Sequence, residues 1–527
     1  MVRLGKIGAT MNKIKQFFKI NDDYKIAKYS LISIFVCALL AYNLILIYGF
    51  TNPDGINEGF YYYSAADWAS MGCGRWLIRY FNYAHANIVM PFITLVEYCL
   101  FTWLMLITIF KVLDVKNIFN AVVTSILFIL LPGVITQMTY VYTAAAYCLS
   151  GLFTALFVYF NTLEDKRFSL LSSICLALAM GLYQSYIGLA VALSLMYIIL
   201  RIIDGKHIKE LLPFIIRSIL SAFVALALYF VFYRIDLMLF GLDTVERMQQ
   251  FSIKEIIGNF GFKFIEMYKV FFNNFIDDIL KRNYLVYLFV IITLYAVFIS
   301  LIKMIKEKRY LDLFIVVIGI ILIPPASCII GILIPFNNVN LMMSNQNYLI
   351  VPFAFALLER NTLKLNKYIN AFGLLTLIAL SWTYILSANA TYRCYMLSYN
   401  HINNEVQMAL KDMYSLDDYE KDETPIIFAG FPNDFTLREN MPLYKYTIEL
   451  YPNVIFWQDM TGVVSNRYNY LINCFGIDAG GISDEDYLRL MESQEFYEMN
   501  VWPKKNSIRM IDGYAVIKYS NNPLLPY

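Results

Sequence analysis

The sequence predicts an all-α polytopic membrane domain of about eleven transmembrane helices, followed by a small C-terminal α/β domain. Three observations predict it. Apolar runs long enough to cross a ~30 Å hydrocarbon core recur between residues 29 and 388. Charged residues make up 16% of the 527 and hydrophobic ones 59%, where a soluble domain carries about 25% charged residues. Residues 390–527 break the pattern, being polar, rich in acids and without a run of spanning length. The net charge of +2 gives no electrostatic footprint for nucleic acid. The eight cysteines are scattered singly, five of them in apolar runs, so they imply neither a disulfide framework nor a zinc site.

Residues 1–28 carry Arg3, Lys6, Lys13, Lys15, Lys19, Lys25 and Lys28, which holds this end in the cytoplasm. Residues 11–20 read either as a surface amphipathic helix or as a plain basic leader. The first apolar run is a full span without a small-residue cleavage site. The membrane domain then occupies 29–389. Its spans are read at 29–50, 88–110, 118–137 with a kink at 131–133, and 140–160. The uncharged run 168–200 would make a single helix of ~50 Å, too long for one crossing. Two segments breaking at Gly181-Leu182-Tyr183-Gln184 fit better and put Tyr183 and Gln184 at the outer face. Further spans follow at 211–235, 284–302, 311–334 broken by Pro324-Pro325, 347–358 and 368–388, with 236–283 outside and 335–346 a short Asn-rich outer loop. Every loop assigned to the cytoplasm is then short and basic, and the C-terminal domain lies outside. In that domain, 424–429, 453–458 and 513–519 read as strands, and Ser483 caps a helix running to residue 491.

The first outer loop, 51–87, concentrates charge and aromatic residues beside the membrane. Asp54 and Glu58, four apart, would share one face of a short helix. They are candidates for a general base acting on a sugar hydroxyl, or for holding a divalent cation such as Mg or Mn, or else are ordinary solvated acids. Arg75 and Arg79, also four apart, suit a phosphate grip or lipid headgroups. Glu97 is a charge within a span, either functional or bonded to a neighbouring helix. His85, His207 and His401 are isolated, so no transition-metal cluster is expected. No phosphate-binding glycine loop or dinucleotide fingerprint is present, which leaves a cytosolic nucleotide-sugar site without an obvious home.

Four stretches, NPDGINEG at 52–59, Trp68, GRW at 74–76 and ALAMGLYQSYIG at 177–188, resemble the type II glucosyltransferases of the Gtr family, the serotype-converting O-antigen glucosyltransferases and their relatives. The resemblance spans about 30–390. It implies a GT-C-type architecture in a bacterial plasma membrane, a polyprenyl-phosphate sugar donor with glucose as the sugar, and a cell-surface glycan acceptor. On this resemblance Asp54 matches the acid of the first outer loop with Glu58 its near partner, Arg75 faces donor phosphate with Arg79 beside it, and Gln184 falls in the Tyr-Gln stretch. Asp67, Trp68, Tyr183 and Gln184 are the expected sugar contacts. A second phosphate-gripping arginine is expected before the penultimate span, but 344–348, SNQNY, has none. The competing readings are a flippase for a lipid-linked sugar, which would call for repeated halves and charges in several spans, and a glycan polymerase using diphosphate-linked substrates.

Overall fold

The computed structural model describes residues 21–49, 52, 55, 71–165, 167–242, 258–275, 285–332, 341–361, 367–421, 423–430, 432, 471–472, 474–478, 480 and 482–521. The membrane domain begins with α1 (Asn21–Tyr48), the short α2 (Ile78–Ala84) and α3 (Pro91–Leu113). Pro91 opens α3, where its missing N–H costs no helical bond. Next come α4 (Ile118–Ile129), whose first amides bond the Asn117 side chain, and α5 (Pro132–Gln137). The kink expected at 131–133 is therefore a complete break, with Pro132 starting a new helix. After α6 (Ala144–Thr162), α7 (Arg167–Leu182) stops where the sequence predicts, a 3-10 turn covers Gln184–Tyr186, and α8 (Ile187–Ile203) resumes.

The second half contains α9 (Ile208–Phe240), α10 (Phe260–Phe275), α11 (Leu285–Lys306), α12 (Tyr310–Ser327), 3-10 segments at Ile329–Ile332 and Leu341–Leu349, α13 (Ile350–Arg360) and α14 (Lys367–Met413). Among the described residues, eight helices are long and apolar enough to cross a membrane. The shorter apolar helices α4 and α7 reach only ~18 and ~24 Å at 1.5 Å per residue. α6 packs between α3 and α7, α7 lies on α9, and α8 on α12.

Three expectations are corrected. First, α9 does not end at 235 but runs on to Phe240, so that Asp236 is a buried helical residue and not part of an outer loop. Its buried stripe of Ala225, Tyr229, Tyr233 and Asp236 keeps helical spacing, so the inward face continues past Arg234. Second, Pro324 and Pro325 stay within α12, which ends at Ser327. Proline cannot donate to the carbonyl four residues back, but the Tyr268 hydroxyl from α10 donates to the Ile321 carbonyl at 2.6 Å and satisfies it. Third, the described part of the Asn-rich loop is not exposed. Ser344, Asn345, Gln346 and Asn347 are all buried in the 3-10 segment Leu341–Leu349, which packs on α5 and α8.

The basic loops converge on one end of the bundle. Arg360 at the end of α13 bonds Asp204 after α8 at 2.8 Å and the Leu113 carbonyl of α3 at 3.1 Å. Arg309 before α12 pairs with Asp312 at 3.0 Å and donates to the Ile202 carbonyl. Glu359 accepts the backbone amides of Lys116 at 2.7 Å and Asn117 at 3.2 Å, and the Asn120 side chain at 2.8 Å. These bonds hold the start of α4 to the end of α13. Glu359→Ala should lower stability by about 1 kcal/mol, as loss of a helix cap does, read as a lower thermal midpoint in detergent. An unchanged midpoint would show that water replaces the carboxylate at no cost.

α14 continues through residue 390 as one helix of 47 residues, ~70 Å long. Its far half carries Ile402, Val406, Ala409, Leu410 and Met413 along one buried stripe, packed on a three-stranded sheet. The sheet order is β1 (Ile426–Ala429), β3 (Tyr514–Lys518), β2 (Ile508–Ile511), with β1 parallel and β2 antiparallel to β3. Both β1 and β3 are covered on two faces. Ile426 and Phe428 face α14, while Ile427, Ala429 and Val516 face α15 (Asp484–Met491) and α16 (Gln494–Glu498). Two-sided burial explains why these strands read as continuous apolar runs. Ser483 caps α15 as the sequence predicts. The strand expected at 453–458 lies outside the described residues, and β2, short and half-buried, was not anticipated from the sequence.

Candidate functional site

Two segments that carry glycine and aromatic residues, 72–77 and 181–186, are far apart in sequence and meet in space. The Leu77 amide donates to the Gly181 carbonyl at 2.9 Å, and the Gln184 side chain donates to the Cys73 carbonyl at 2.9 Å. Trp76 lies directly on Gly181, where a Cβ would come 2.6 Å from the indole. Gly74 adopts φ +81, and a Cβ there would run into the Tyr229 hydroxyl and stand 2.9 Å from the Gln184 amide. Both glycines are thus required by close approach, and Gly74 also by its left-handed backbone. α9 closes this junction from the side. Tyr229 donates to the Gly74 carbonyl at 3.1 Å and Tyr233 to the Gly72 carbonyl at 2.9 Å.

The junction presents Arg75. Its guanidinium is half-buried, donates to the Tyr147 hydroxyl at 3.0 Å and lies 5.7 Å and 5.3 Å from the centres of the Tyr147 and Tyr183 rings. Those two rings stack at 4.2 Å, so the arginine sits against an aromatic wall. Its Nε has no hydrogen-bond partner among the described residues. Arg79 is fully buried, donates to the Met71 sulfur at 3.4 Å and the Tyr83 hydroxyl at 3.3 Å, and also leaves Nε without a partner. Although the two are four apart in sequence, α2 begins only at Ile78, so Arg75 lies in the turn before it. Arg75 consequently faces α6 and α7, while Arg79 sits against Phe240 at the end of α9. Among the described residues neither arginine forms an ion pair with a carboxylate. Asp236 is near but accepts instead from Tyr80 at 2.7 Å.

The family model described as Glucosyl transferase GtrII matches residues 44–355, well over half of the chain. The chain belongs to this family. No curated protein and no solved structure matches it. Family membership makes the chain a glucosyltransferase, and its apolar helices fit a membrane protein. The matched region contains the whole junction around Arg75 and stops short of the C-terminal sheet.

Within this glucosyltransferase region the expected residues are distributed unevenly. Arg75, Tyr183 and Gln184 come together, with Gln184 serving the backbone of the arginine's own turn. Tyr183 and Gln184 were expected at the outer face as sugar contacts; Tyr183 is buried beneath Arg75 and Gln184 is half-buried. Asp54, Glu58, Asp67 and Trp68 lie outside the described residues. Their described neighbours are anchored. The Asn52 amide donates to the Thr139 carbonyl at 3.1 Å, and the Asn52 side chain accepts the Gly55 amide at 3.0 Å. Among the described residues no group of His, Cys, Asp and Glu has the make-up of a metal site.

Sequence reasoning missed several neighbours. Tyr229, Tyr233 and Asp236 stand at i, i+4 and i+7 in the second half of a largely apolar helix, and that polar stripe was a usable signal. Tyr98, Gln137 and Asn345 form a second buried polar cluster, with bonds of 2.7 and 3.2 Å converging on the Gln137 side-chain oxygen. Its donor Asn345 comes from SNQNY, so this stretch is a structural bracket where an anion grip was sought. Finally, Glu97 is not alone. His85 Nε2 lies 2.8 Å from its carboxylate and His85 Nδ1 lies 2.9 Å from the Phe81 carbonyl. Partial burial disfavours the imidazolium, but the Phe81 carbonyl and Glu97 outweigh it and hold the His85 pKa above the ordinary histidine value.

Proposed function

We propose that this GtrII-family protein transfers glucose from a polyprenyl-phosphate donor to a cell-surface glycan, at the end of the bundle opposite the basic loops. One observation carries the proposal. Arg75 and Arg79 are two sequestered guanidinium groups without an ion-paired carboxylate among the described residues, in a chain whose family moves glucosyl groups. A buried unpaired cation is costly, and an anionic group of the substrate would offset that cost. The prenyl tail lies in the bilayer beside the helices. Arg75, backed by Tyr147 and Tyr183, binds the phosphate and stabilises it as it leaves. Arg79, facing α9, supports the same charge from a different side.

The reaction is an inverting displacement. The acceptor hydroxyl oxygen attacks the anomeric carbon as the bond from that carbon to the phosphate oxygen breaks. Asp54, or else Glu58, takes the hydroxyl proton. Asp67 and Trp68 hold the sugars. The basic end faces the cytoplasm of a bacterial plasma membrane, which places the junction and residues 390–527 on the outer side.

The test uses washed membranes supplied with polyprenyl-phosphate glucose and the glycan acceptor. Asp54→Asn should reduce transfer by about 10²–10⁴-fold, as loss of a general base does, while inserting at the wild-type level. Glu58→Gln should reduce it less. Wild-type rates in both variants would remove the acids from the mechanism, and transfer from a nucleotide sugar in the absence of lipid donor would overturn the donor class.

A further inference from the structure

A pocket opens where the end of α2 meets the start of α3, walled by the chain entering α6. Its enclosed part holds about 20 Å³, room for one hydroxyl-sized group, and the rest of the space is its open mouth. The role of Arg75 does not require it. Its lining includes the His85–Glu97 pair, Asn82 and Asn87, with Phe81 and Tyr142 as aromatic walls. Asn82 and Asn87 are both more than nine-tenths buried, and among the described residues the Asn82 Nδ2 donor and the Asn87 Oδ1 acceptor have no hydrogen-bond partner.

We infer that this pocket seats a hydroxyl group of a neutral sugar ring whose body lies at the open mouth. The inference rests on the transferase reading and names further substrate-binding residues for it. His85 has an acceptor facing each ring nitrogen, the Phe81 carbonyl and the Glu97 carboxylate. A single proton therefore bridges His85 and Glu97 whichever of them carries it, and the pair is locked in place. Glu97 makes its described bond through Oε1, which leaves Oε2 to accept from a ligand. The pocket then offers an amide donor, an amide oxygen and a carboxylate oxygen between aromatic walls. A hydroxyl, with one donor and two acceptor sites, accepts from the amide donor and donates to one of the two oxygens, and the aromatic faces take the C–H surface of a sugar ring. The carboxylate disfavours a phosphate, and the polar lining disfavours a lipid tail. Tyr142 also lies within electrostatic reach of Arg75.

The experiment titrates purified full-length protein with three probes, methyl glucoside, polyprenyl-phosphate glucose and polyprenyl phosphate without sugar. Asn82→Ala, which removes the donor without adding a charge, and Asn87→Ala are compared with wild type at matched thermal midpoints. Each should weaken at least one sugar-bearing probe by about tenfold, the value of one buried hydrogen bond, and leave the sugar-free lipid unchanged. Loss confined to the lipid-linked sugar assigns the pocket to the donor. Loss for methyl glucoside assigns it to the acceptor side. Wild-type affinity for both sugar probes in both variants overturns the inference, as does an equal loss for the sugar-free lipid. Failure of wild type to bind either lipid would defeat the prenyl-phosphate reading alone, and methyl glucoside would still decide the pocket, its failure to bind wild type then counting against the subsite.

Discussion

Arg75→Ala should cost transfer activity about 10²–10³-fold or more, the range seen when one preorganised stabiliser of developing negative charge is removed. The protein should still insert, because the groups that build the turn are the Leu77 amide, the Cys73 carbonyl and the glycines, none of which the substitution touches. Arg75→Lys should also fall sharply, since an ammonium on a flexible stem reproduces neither the planar fork nor its seat against two tyrosine rings. Tyr147→Phe provides the control. It removes the 3.0 Å bond to Arg75 but keeps the stacked ring, so a loss of less than about tenfold is expected for one neutral hydrogen bond. The measurement is the initial rate of glucose transfer from polyprenyl-phosphate glucose, normalised to the amount of protein in the membrane. An Arg75→Ala enzyme within tenfold of wild type would end the assignment of this residue to the phosphate.

Gly181→Val should be the most destabilising single change in the membrane domain. Even the Cβ of alanine would meet three atoms of the Trp76 indole at 2.6, 2.8 and 2.9 Å. Real Cβ atoms do not approach so closely, so the ring or the helix must move. Trp76 has little room to retreat, being buried and stacked on Phe232 of α9 at 5.4 Å. Overpacking of this kind costs about 1–3 kcal/mol for the smaller change, and the branched side chain adds to it. Because Leu77 is bonded to the Gly181 carbonyl, a displaced Trp76 carries Arg75 with it. Gly181→Ala should therefore lose activity as well as thermal stability, and Trp76→Phe in that background should restore part of both by vacating space. Independent, additive effects of the two substitutions in a double-mutant cycle would show that the contact does not couple them.

Much of the bundle was legible in the sequence because its signals are local. Hydropathy located the helices, and the length of the uncharged run 168–200 required the break that the chain makes after Leu182. The basic loops were assigned to a single side by charge alone, and Arg360, Arg309 and Glu359 do tie the corresponding helix ends together. The site was legible only in parts. Arg75 and Gln184 drew attention as polar residues in apolar surroundings, but no spacing rule joins residue 75 to residue 183. Asp236 read as a loop acid because it and Arg234 interrupt the apolar run, and its partner Tyr80 is 156 positions away. His85 read as isolated for the same reason, since its partner lies on the next helix. Pro324-Pro325 read as a break because the donor that makes good the missing N–H comes from Tyr268, on a different helix.

The sequence by itself determined the class of molecule, the approximate places where the chain turns back, and the family, because these depend on how many apolar residues stand in a row and on short motifs of contiguous residues. The tertiary structure alone decided which polar groups are satisfied and which are left to face a ligand. Burial and hydrogen bonding are properties of pairs, and in a helical membrane protein the partner of a polar side chain usually lies on another helix. Hence SNQNY became a buried bracket, Arg75 and Arg79 parted to different neighbours, and His85 acquired Glu97.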